Sequence, residues 1–174
     1  ENKGLEILIR ATPIQTEKFT WNTNVSYSTN SNKVVALSSE KFSMDQDYFY
    51  TGYTGEPIQT TTHIVQVGKP IGTFYGLKSV DITDDGLWLV ENKKGEHVLA
   101  EETDATDWQV LGNGIPKHYL NWNNTFNFFN FDLSINMRGA FGFQILNYQR
   151  MYYENAKPEI LYNRLNSAFD KVYG

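Results

Sequence analysis

Hydrophobic and polar residues alternate with a period of two in four segments of the chain. The clearest segment is residues 19–28, in which the odd positions are mostly aromatic or β-branched and the even positions are polar and uncharged. Residues 4–12 and 119–128 alternate in the same way with one exception each, and residues 131–145 carry their apolar side chains mainly at odd positions. Because successive side chains of a strand point to opposite faces, each segment is predicted to be a β-strand with one apolar face.

Two turns and one long excursion separate the four predicted strands. Short turns are predicted at Pro13 to Lys18, where proline should interrupt the strand, and at Phe129-Asn130. Residues 38–118 lose the alternation and hold 9 of the 13 glycines and 3 of the 5 prolines. This region is predicted to be a long, partly ordered loop with short strand-like pieces. Near the end of the chain, apolar residues recur at helical spacing, which predicts one helix at about residues 158 to 172.

The length of the apolar faces favours a membrane barrel over a soluble β-sandwich. The stripe from Phe131 to Ile145 would be about 45 Å long at about 3.3 Å per residue, and even when tilted by roughly 40° it exceeds the ~25 Å apolar band of an outer-membrane barrel. Strands of soluble proteins have only about 5 to 6 residues. The fold prediction is therefore an all-β, antiparallel segment of a transmembrane β-barrel with about four long strands. A soluble all-β carbohydrate-binding or adhesin module is the alternative.

The expected topology of such barrels orients the chain. They have short turns on the periplasmic side and long loops outside the cell, so the long excursion and the tail are predicted to be extracellular. The predicted division is as follows: a barrel hairpin at 1–37, a long extracellular loop region at 38–118, a barrel hairpin at 119–147, and an extracellular loop with a helix at 148–174. Four strands are fewer than the 8 of the smallest barrels, so the rest of a longer polypeptide is expected to complete the barrel.

Composition excludes several function classes. The net charge of −5, from 15 basic and 20 acidic residues, argues against a nucleic-acid partner, which would need a basic face. The absence of cysteine excludes a disulfide scaffold and a thiolate metal site. The sequence contains no run of 18 apolar residues, so it predicts no transmembrane helix. The chain begins with Glu1, without Met or a signal peptide, which predicts a fragment of a longer precursor; a processed N-terminus is the alternative.

Motifs for catalysis or metal binding are weak. Asp81, Thr83, Asp85 and Gly86 fit a calcium-loop pattern in part, but Thr83 stands where Asp or Asn is required and Asn92 stands where calcium needs a bidentate Glu. A solvated acidic turn is the preferred interpretation. The three histidines are far apart, and no nucleophile-elbow or phosphate-loop motif occurs. The sequence predicts no enzyme, no metal and no cofactor.

Aromatic side chains of the 38–118 region are the candidates for ligand contact. Gly72 and Gly76 flank two neighbouring aromatic residues, a spacing that suits a tight turn presenting their rings. Other aromatic residues of this region, including Tyr50 and Tyr53, could also stack on sugar faces. The predicted contact residues are Phe74, Tyr75, Trp88 and Trp108. Local packing of the loop is the alternative.

Six short stretches together indicate a family. In chain order they are Asn2-Lys3-Gly4-Leu5-Glu6-Ile7, Phe19-Thr20-Trp21 with Asn24 and Ser26, Asn32-Lys33-Val34-Val35-Ala36-Leu37, Gly68-Lys69-Pro70-Ile71-Gly72-Thr73-Phe74-Tyr75-Gly76, Leu111-Gly112-Asn113-Gly114-Ile115-Pro116-Lys117, and Phe131-Asp132-Leu133-Ser134 with Arg138-Gly139. Their order and spacing over residues 2–147 resemble the SusC/RagA-like TonB-dependent transporters of bacterial outer membranes.

The resemblance implies a transporter of which this chain would be only a part, from the C-terminal half of the barrel. Members of the family have a barrel of about 22 strands with an N-terminal plug. The resemblance also implies a SusD-like surface lipoprotein as a lid, energy from TonB through the plug region, and oligosaccharides or peptides as substrates. The plug and most strands would lie outside these residues, so the fragment is expected to be inactive alone. The four predicted aromatic contacts would then touch the substrate or the lid.

Overall fold

The computed structural model of the chain describes residues 1–56, 58–154 and 163–169. In these ranges the chain forms eleven β-strands and one short α-helix. In chain order they are β1 (Asn2–Gln15), β2 (Phe19–Asn32), β3 (Tyr48–Thr51), β4 (His63–Gln66), β5 (Thr73–Gly76), β6 (Lys78–Ile82), β7 (Trp88–Glu91), β8 (His97–Leu99), β9 (Gln109–Asn113), β10 (His118–Phe128), β11 (Phe131–Phe141) and α1 (Tyr148–Tyr153). The all-β, antiparallel prediction is confirmed.

The four longest strands form one antiparallel sheet in the order β1-β2-β10-β11. The four strands are in register, so that apolar side chains form rungs across the sheet. In one such rung, Ile14 pairs with Trp21, Trp21 with Phe126, and Phe126 with Leu133. The side chains of the next positions point to the opposite face, where Arg10, Asn24, Asn123 and Asn136 form a polar rung. The sheet therefore has one apolar and one polar face, and it is open in the described part of the chain.

Pro13 does not end the first strand, in contrast to the sequence prediction. β1 continues to Gln15, and its register with β2 shifts between Ala11 and Ile14. The shift is a β-bulge that leaves proline outside the ladder, which is tolerable because β1 lies at an edge of this sheet. The one extra residue returns Ile14 to the apolar face. The observed turn is consequently shorter than the predicted one, and strand β1 is longer than the alternation alone indicates.

The apolar face of this sheet is exposed. Ile9 is 60 % exposed, Leu133 56 % and Met137 43 %. Soluble monomers seldom expose large contiguous apolar patches. Nothing in the described ranges covers this face.

Two tryptophans cover a polar rung in the middle of the apolar face. Thr23 lies opposite Asn124. The Trp21 Nε1 donates to Asn124 Oδ1 at 3.0 Å, and the Trp122 Nε1 donates to Thr23 Oγ1 at 2.8 Å. Asn124 is only 4 % exposed. Polar groups on an otherwise apolar face are thus paired with each other, as an apolar environment requires.

The region between β2 and β10 folds into two small sheets. One has the order β3-β4-β5-β9, and the other is the meander β6-β7-β8. The strand-like pieces predicted at Thr61 to Val67 and Ile71 to Leu77 contain β4 and β5. Buried hydrophobic residues of the described chain occur here, Ile64 at 4 % and Val90 at 3 % exposure.

The α-helix lies earlier in the chain than the sequence prediction. α1 starts after Asn147, whose side chain accepts a hydrogen bond from the Arg150 backbone N–H at 3.1 Å, the usual N-cap arrangement. Residues 158–162 and 170–172 of the predicted helix lie outside the described residues, and residues 166–169 form a 3-10 turn. None of the helical segments in the described ranges combines the length and hydropathy needed to cross a membrane. The division into barrel hairpins and extracellular loops stays a prediction.

Candidate ligand-contact site

The small sheet β3-β4-β5-β9 is attached to the ends of the long strands by a hydrogen-bonded seam. The Asn113 backbone N–H donates to Gln144 Oε1 at 2.9 Å, and its side-chain Nδ2 donates to the Ile71 carbonyl at 2.8 Å. The Gly114 N–H donates to the Gly72 carbonyl at 3.0 Å. Two of the family-like stretches, 68–76 and 111–117, therefore lie side by side although they are far apart in sequence.

Backbone conformation and close contacts favour glycine at this seam. Gly72 has a φ of +72°, a region that side chains other than glycine rarely adopt, and a Cβ there would lie 3.1 Å from Ile115 Cγ1. A Cβ on Gly112 would lie 2.8 Å from the Gln144 side chain. The glycines of the two stretches thus allow the small sheet to pack closely against Ile115 and Gln144.

Four aromatic side chains form a cluster on this sheet, which we call the aromatic cluster: Tyr48, Tyr50, Tyr75 and Trp108. The Tyr50 ring lies 5.8 Å from that of Tyr75 in a stacked arrangement and 6.2 Å from that of Trp108. The Tyr75 and Trp108 rings are 6.1 Å apart, and the Tyr48 and Tyr50 rings 5.4 Å. These separations are typical of favourable aromatic contacts. Tyr50 is nevertheless 43 % exposed, so part of the cluster faces outward.

The surroundings of Tyr50 in the cluster favour the neutral form of its phenol. Burial raises the pKa of Tyr50, and the neighbouring phenols of Tyr48 and Tyr75 raise that pKa further. A neutral phenol both donates and accepts hydrogen bonds. Rings with neutral hydroxyl groups suit the flat faces and hydroxyls of sugars, and equally the amides and side chains of peptides.

The structure brings together two of the four predicted contact residues. Tyr75 and Trp108 belong to the aromatic cluster. Phe74 neighbours Tyr75 and projects to the opposite face of its strand, where its ring meets that of His63 at 5.0 Å. Trp88 lies on β7 in the other small sheet and is 47 % exposed. Ligand contact by any of the four stays a prediction.

The sequence pattern overlooked Tyr48. The signal is present, because Tyr48 and Tyr50 are two residues apart and share one face of β3. Strand β3 has only 4 residues, which is too short for the alternation to stand out from the loop around it.

Acidic residues in and after the second small sheet accept local backbone hydrogen bonds. The stretch that partly matches a calcium loop forms the turn between β6 and β7, where Thr83 Oγ1 accepts from the Leu87 N–H at 3.0 Å. Asp81 Oδ1 accepts from its neighbour Ile82 N–H at 2.8 Å. The Thr106 hydroxyl and N–H hydrogen-bond to Asp104, which lowers the pKa of that carboxyl. No group of three or more metal-ligating side chains occurs within the described ranges.

Comparisons with known proteins give consistent relatives. The chain matches no protein-family model. It is 29 % identical over 160 residues to the TonB-dependent receptor P3 of Formosa agariphila, covering 85 % of this chain and 16 % of that protein. It is 33 % identical over 101 residues to the TonB-dependent receptor P39 of the same organism, covering 53 % of this chain and 8 % of that protein. The chain therefore spans less than a fifth of the curated relatives it matches.

Solved structures with a similar fold are also transporters. The chain superposes on a structure described as the RagAB peptide transporter with a TM-score of 0.68 and 17 % identity, covering 91 % of this chain and 17 % of that chain. It superposes on the RagAB peptide importer in its open-open state with a TM-score of 0.72 and 15 % identity, covering 91 % of this chain and 16 % of that chain. The proteins named in both comparisons are receptors or transporters.

Proposed function

From the resemblance to SusC/RagA-like TonB-dependent transporters, which the comparisons confirm, we propose that this chain contributes four spanning strands and part of the outer surface of an outer-membrane nutrient transporter. The rest of the barrel would come from other parts of the same polypeptide. In this proposal β1, β2, β10 and β11 cross the membrane, and the two small sheets lie outside the cell.

The observation that carries the proposal is the exposed apolar face of the long-strand sheet. Isoleucine, leucine and methionine side chains on this face are between 38 % and 60 % exposed, as for Leu120 and Ile9. Leaving this surface in water costs about 25 cal/mol for each Å² of apolar area, whereas lipid chains would cover it. The opposite face presents amides and hydroxyls, which suit the polar interior of a transport barrel. A soluble module would need some other cover for the apolar face.

Aromatic side chains near the turn end of the sheet fit the same orientation. Phe19 and Phe128 are directly opposite each other, with ring centroids 6.3 Å apart. At the other end, Tyr27 stacks on His118, with its hydroxyl 2.7 Å from the imidazole Nδ1. Amphipathic and aromatic rings at both ends of an apolar band are typical of membrane interfaces.

The partners and substrates follow from the resemblance. We propose a SusD-like surface lipoprotein over the small sheets, TonB acting through a plug elsewhere in the polypeptide, and oligosaccharides or peptides as the imported molecules. The aromatic cluster is proposed to contact the substrate or the lipoprotein through Tyr75 and Trp108, with Trp88 and Phe74 as further contacts. The similar structures whose descriptions name a substrate are peptide transporters. Their descriptions support peptides as the imported molecules.

Cysteine labelling tests the orientation. The chain has no cysteine of its own, so Asp85→Cys in the β6–β7 turn and Asn130→Cys in the β10–β11 turn each add one reactive site to this part of the polypeptide in its native host, and the unsubstituted polypeptide gives the background labelling. A membrane-impermeant maleimide should label D85C in intact cells and N130C only after the outer membrane is opened. Labelling of both in intact cells, or recovery of the polypeptide in a soluble fraction, would contradict the proposal.

Uptake tests the transport activity. A labelled digest of casein and a labelled mixture of neutral oligoglucosides are offered to cells with and without the gene. We expect one of the two probes to accumulate only with the gene present, and a protonophore to abolish that accumulation. Binding that is unaffected by both the protonophore and loss of TonB would instead support a surface-binding protein.

A further inference from the structure

The apolar face of the long-strand sheet ends in basic residues at its outer end. On β1, the position two residues before Leu5 on the same face is Lys3. On β2 the ladder continues beyond Asn32, because the Lys33 N–H donates to the Glu1 carbonyl at 2.9 Å. The register of the two strands places Lys33 on the apolar side of the sheet. On β1 the change from leucine to lysine on this face takes place between neighbouring positions, Leu5 and Lys3.

Three lysines from separate segments meet at this end. The Asn30 N–H donates to the Lys117 carbonyl at 3.3 Å, and the Val34 N–H donates to the Lys69 carbonyl at 3.0 Å. All three lysines, Lys33, Lys69 and Lys117, are exposed. The ion pairs found within the described residues join Lys3 to Glu1, Lys78 to Glu91 and Arg150 to Glu154, and none involves these three lysines. Unpaired positive charge is therefore concentrated here in a chain whose net charge is −5.

A cleft lies between two of these lysines, Lys33 and Lys117. Its volume is about 490 Å³, and its lining includes Lys33, Lys117, His118, Thr29 and Asn113. Thr29 and His118 are directly opposite on β2 and β10 and share the apolar side of the sheet. Lys117 also lines a second cleft of about 470 Å³, together with Lys69. The first cleft thus opens next to the upper edge of the apolar face and offers ammonium, imidazole, hydroxyl and amide groups.

We propose that this cleft binds the phosphate of a lipid headgroup in the outer leaflet, with the acyl chains lying along the apolar face below it. This inference rests on the proposed function, because it requires that face to meet lipid. Lysine ammonium groups bind phosphate oxygens as point charges, and lysines next to a membrane surface attract anionic headgroups. The Tyr27–His118 pair stands at the level where headgroup and acyl chain meet. A free phosphate would satisfy the same lysines but would gain nothing from the apolar face.

The test measures lipid retention by the intact polypeptide. Wild type and the variant K33Q/K117Q are reconstituted in phosphatidylcholine vesicles that contain radiolabelled diphosphoryl lipid A, and the lipid that stays with the affinity-captured protein in detergent is counted. Removing two lysines from a charged lipid surface should weaken retention about 30-fold. K33R/K117R keeps both charges and should retain the lipid.

A matched control separates local from overall charge. K93Q/K94Q removes two lysines from the turn between β7 and β8, far along the chain from the apolar face, and should leave retention unchanged. Dephosphorylated lipid A should be lost from wild type, and inorganic phosphate at millimolar concentration should displace little of the phosphorylated lipid.

Each of the remaining outcomes contradicts either the lipid inference or the proposed function. Equal retention by wild type and K33Q/K117Q, or equal losses in K33Q/K117Q and K93Q/K94Q, overturns the inference while leaving the transporter proposal intact. Full displacement by inorganic phosphate overturns the assignment to a lipid. Failure of wild type and all variants to enter the vesicles contradicts the proposed function itself, and it is seen before any lipid is counted.

Discussion

The sheet of four long strands and the two small sheets use their apolar residues in opposite ways. The long strands alternate with few exceptions, yet Leu133 and Ile9 remain more than half exposed. The small sheets show little alternation, yet they bury Ile64 and Val90 almost completely. Alternation along a strand therefore identifies its apolar face, but it does not identify what buries that face. Lipid in one region and neighbouring strands in the other would provide that cover.

The largest expected effect is the loss of stability when a buried isoleucine is truncated, compared with an exposed one. Ile64→Ala should destabilise the small sheets by about 2–5 kcal/mol, because it opens a cavity in packed protein. Ile9→Ala, on the exposed apolar face, should cost far less because lipid can fill the space. Hydrogen exchange of the intact polypeptide in vesicles, read in β4 and in β1, measures both. Comparable losses in the two strands would remove the distinction.

A charge placed on each face of β11 sharpens the comparison within one strand. Ile135→Arg should destabilise the membrane-inserted polypeptide by about 2–4 kcal/mol if this position lies near the bilayer midplane. Ser134→Arg, one residue earlier on the polar face, should change stability by much less. Urea unfolding in vesicles gives both values. Equal costs for the two variants would argue against lipid on the odd-numbered face.

The covered polar rung allows a double-mutant cycle. Trp21→Phe removes the donor that Asn124 Oδ1 uses and should cost about 1–3 kcal/mol, because a polar group is left unpaired in an apolar setting. Adding Asn124→Leu should recover most of that loss, since neither partner then remains. The same unfolding measurement reports the cycle. Additive losses in the double variant would show that the hydrogen bond is unimportant.

The smallest of these effects concerns the seam between the regions. Gly72→Ala should destabilise the β5–β9 pairing by about 1–2 kcal/mol through its positive φ, with a further contribution from contact with Ile115. Gly68→Ala is the matched control, because Gly68 has a φ of +85° but a Cβ there meets nothing within 4 Å. Limited proteolysis of the 38–118 region compares the two. A greater loss in G68A than in G72A would exclude a role for the Ile115 contact.

The sequence predicted the long strands well because their apolar residues recur with a strict period. It placed the first turn too early, because a proline was taken as a break and an edge strand can bypass it with a bulge. It did not predict the pairing of β5 with β9, since strands of 4 and 5 residues that lie far apart in sequence leave no local signal. The same limit explains why Tyr48 was overlooked and why only Tyr75 and Trp108 of the predicted contacts fall in one cluster.

Helix placement shows a different limit. Helical spacing in the tail predicted residues 158 to 172, whereas the described α-helix begins directly after Asn147. Its position depends on a cap and on tertiary contacts: the Tyr148 hydroxyl lies 2.8 Å from Thr62 Oγ1, and the Tyr152 hydroxyl donates to the Gly55 carbonyl at 3.2 Å. Contacts with residues about 90 positions away cannot be read from periodicity.

Lipid is expected to cover one face of the long-strand sheet. Spin labels placed singly at each position of β11, Phe131–Phe141, in the vesicle-reconstituted polypeptide test it most directly. We expect accessibility to oxygen, which is enriched in lipid, and accessibility to a water-soluble nickel complex to alternate out of phase with a period of two. Oxygen should be favoured at Leu133, Ile135 and Met137. Equal access of the nickel complex to odd and even positions would contradict it.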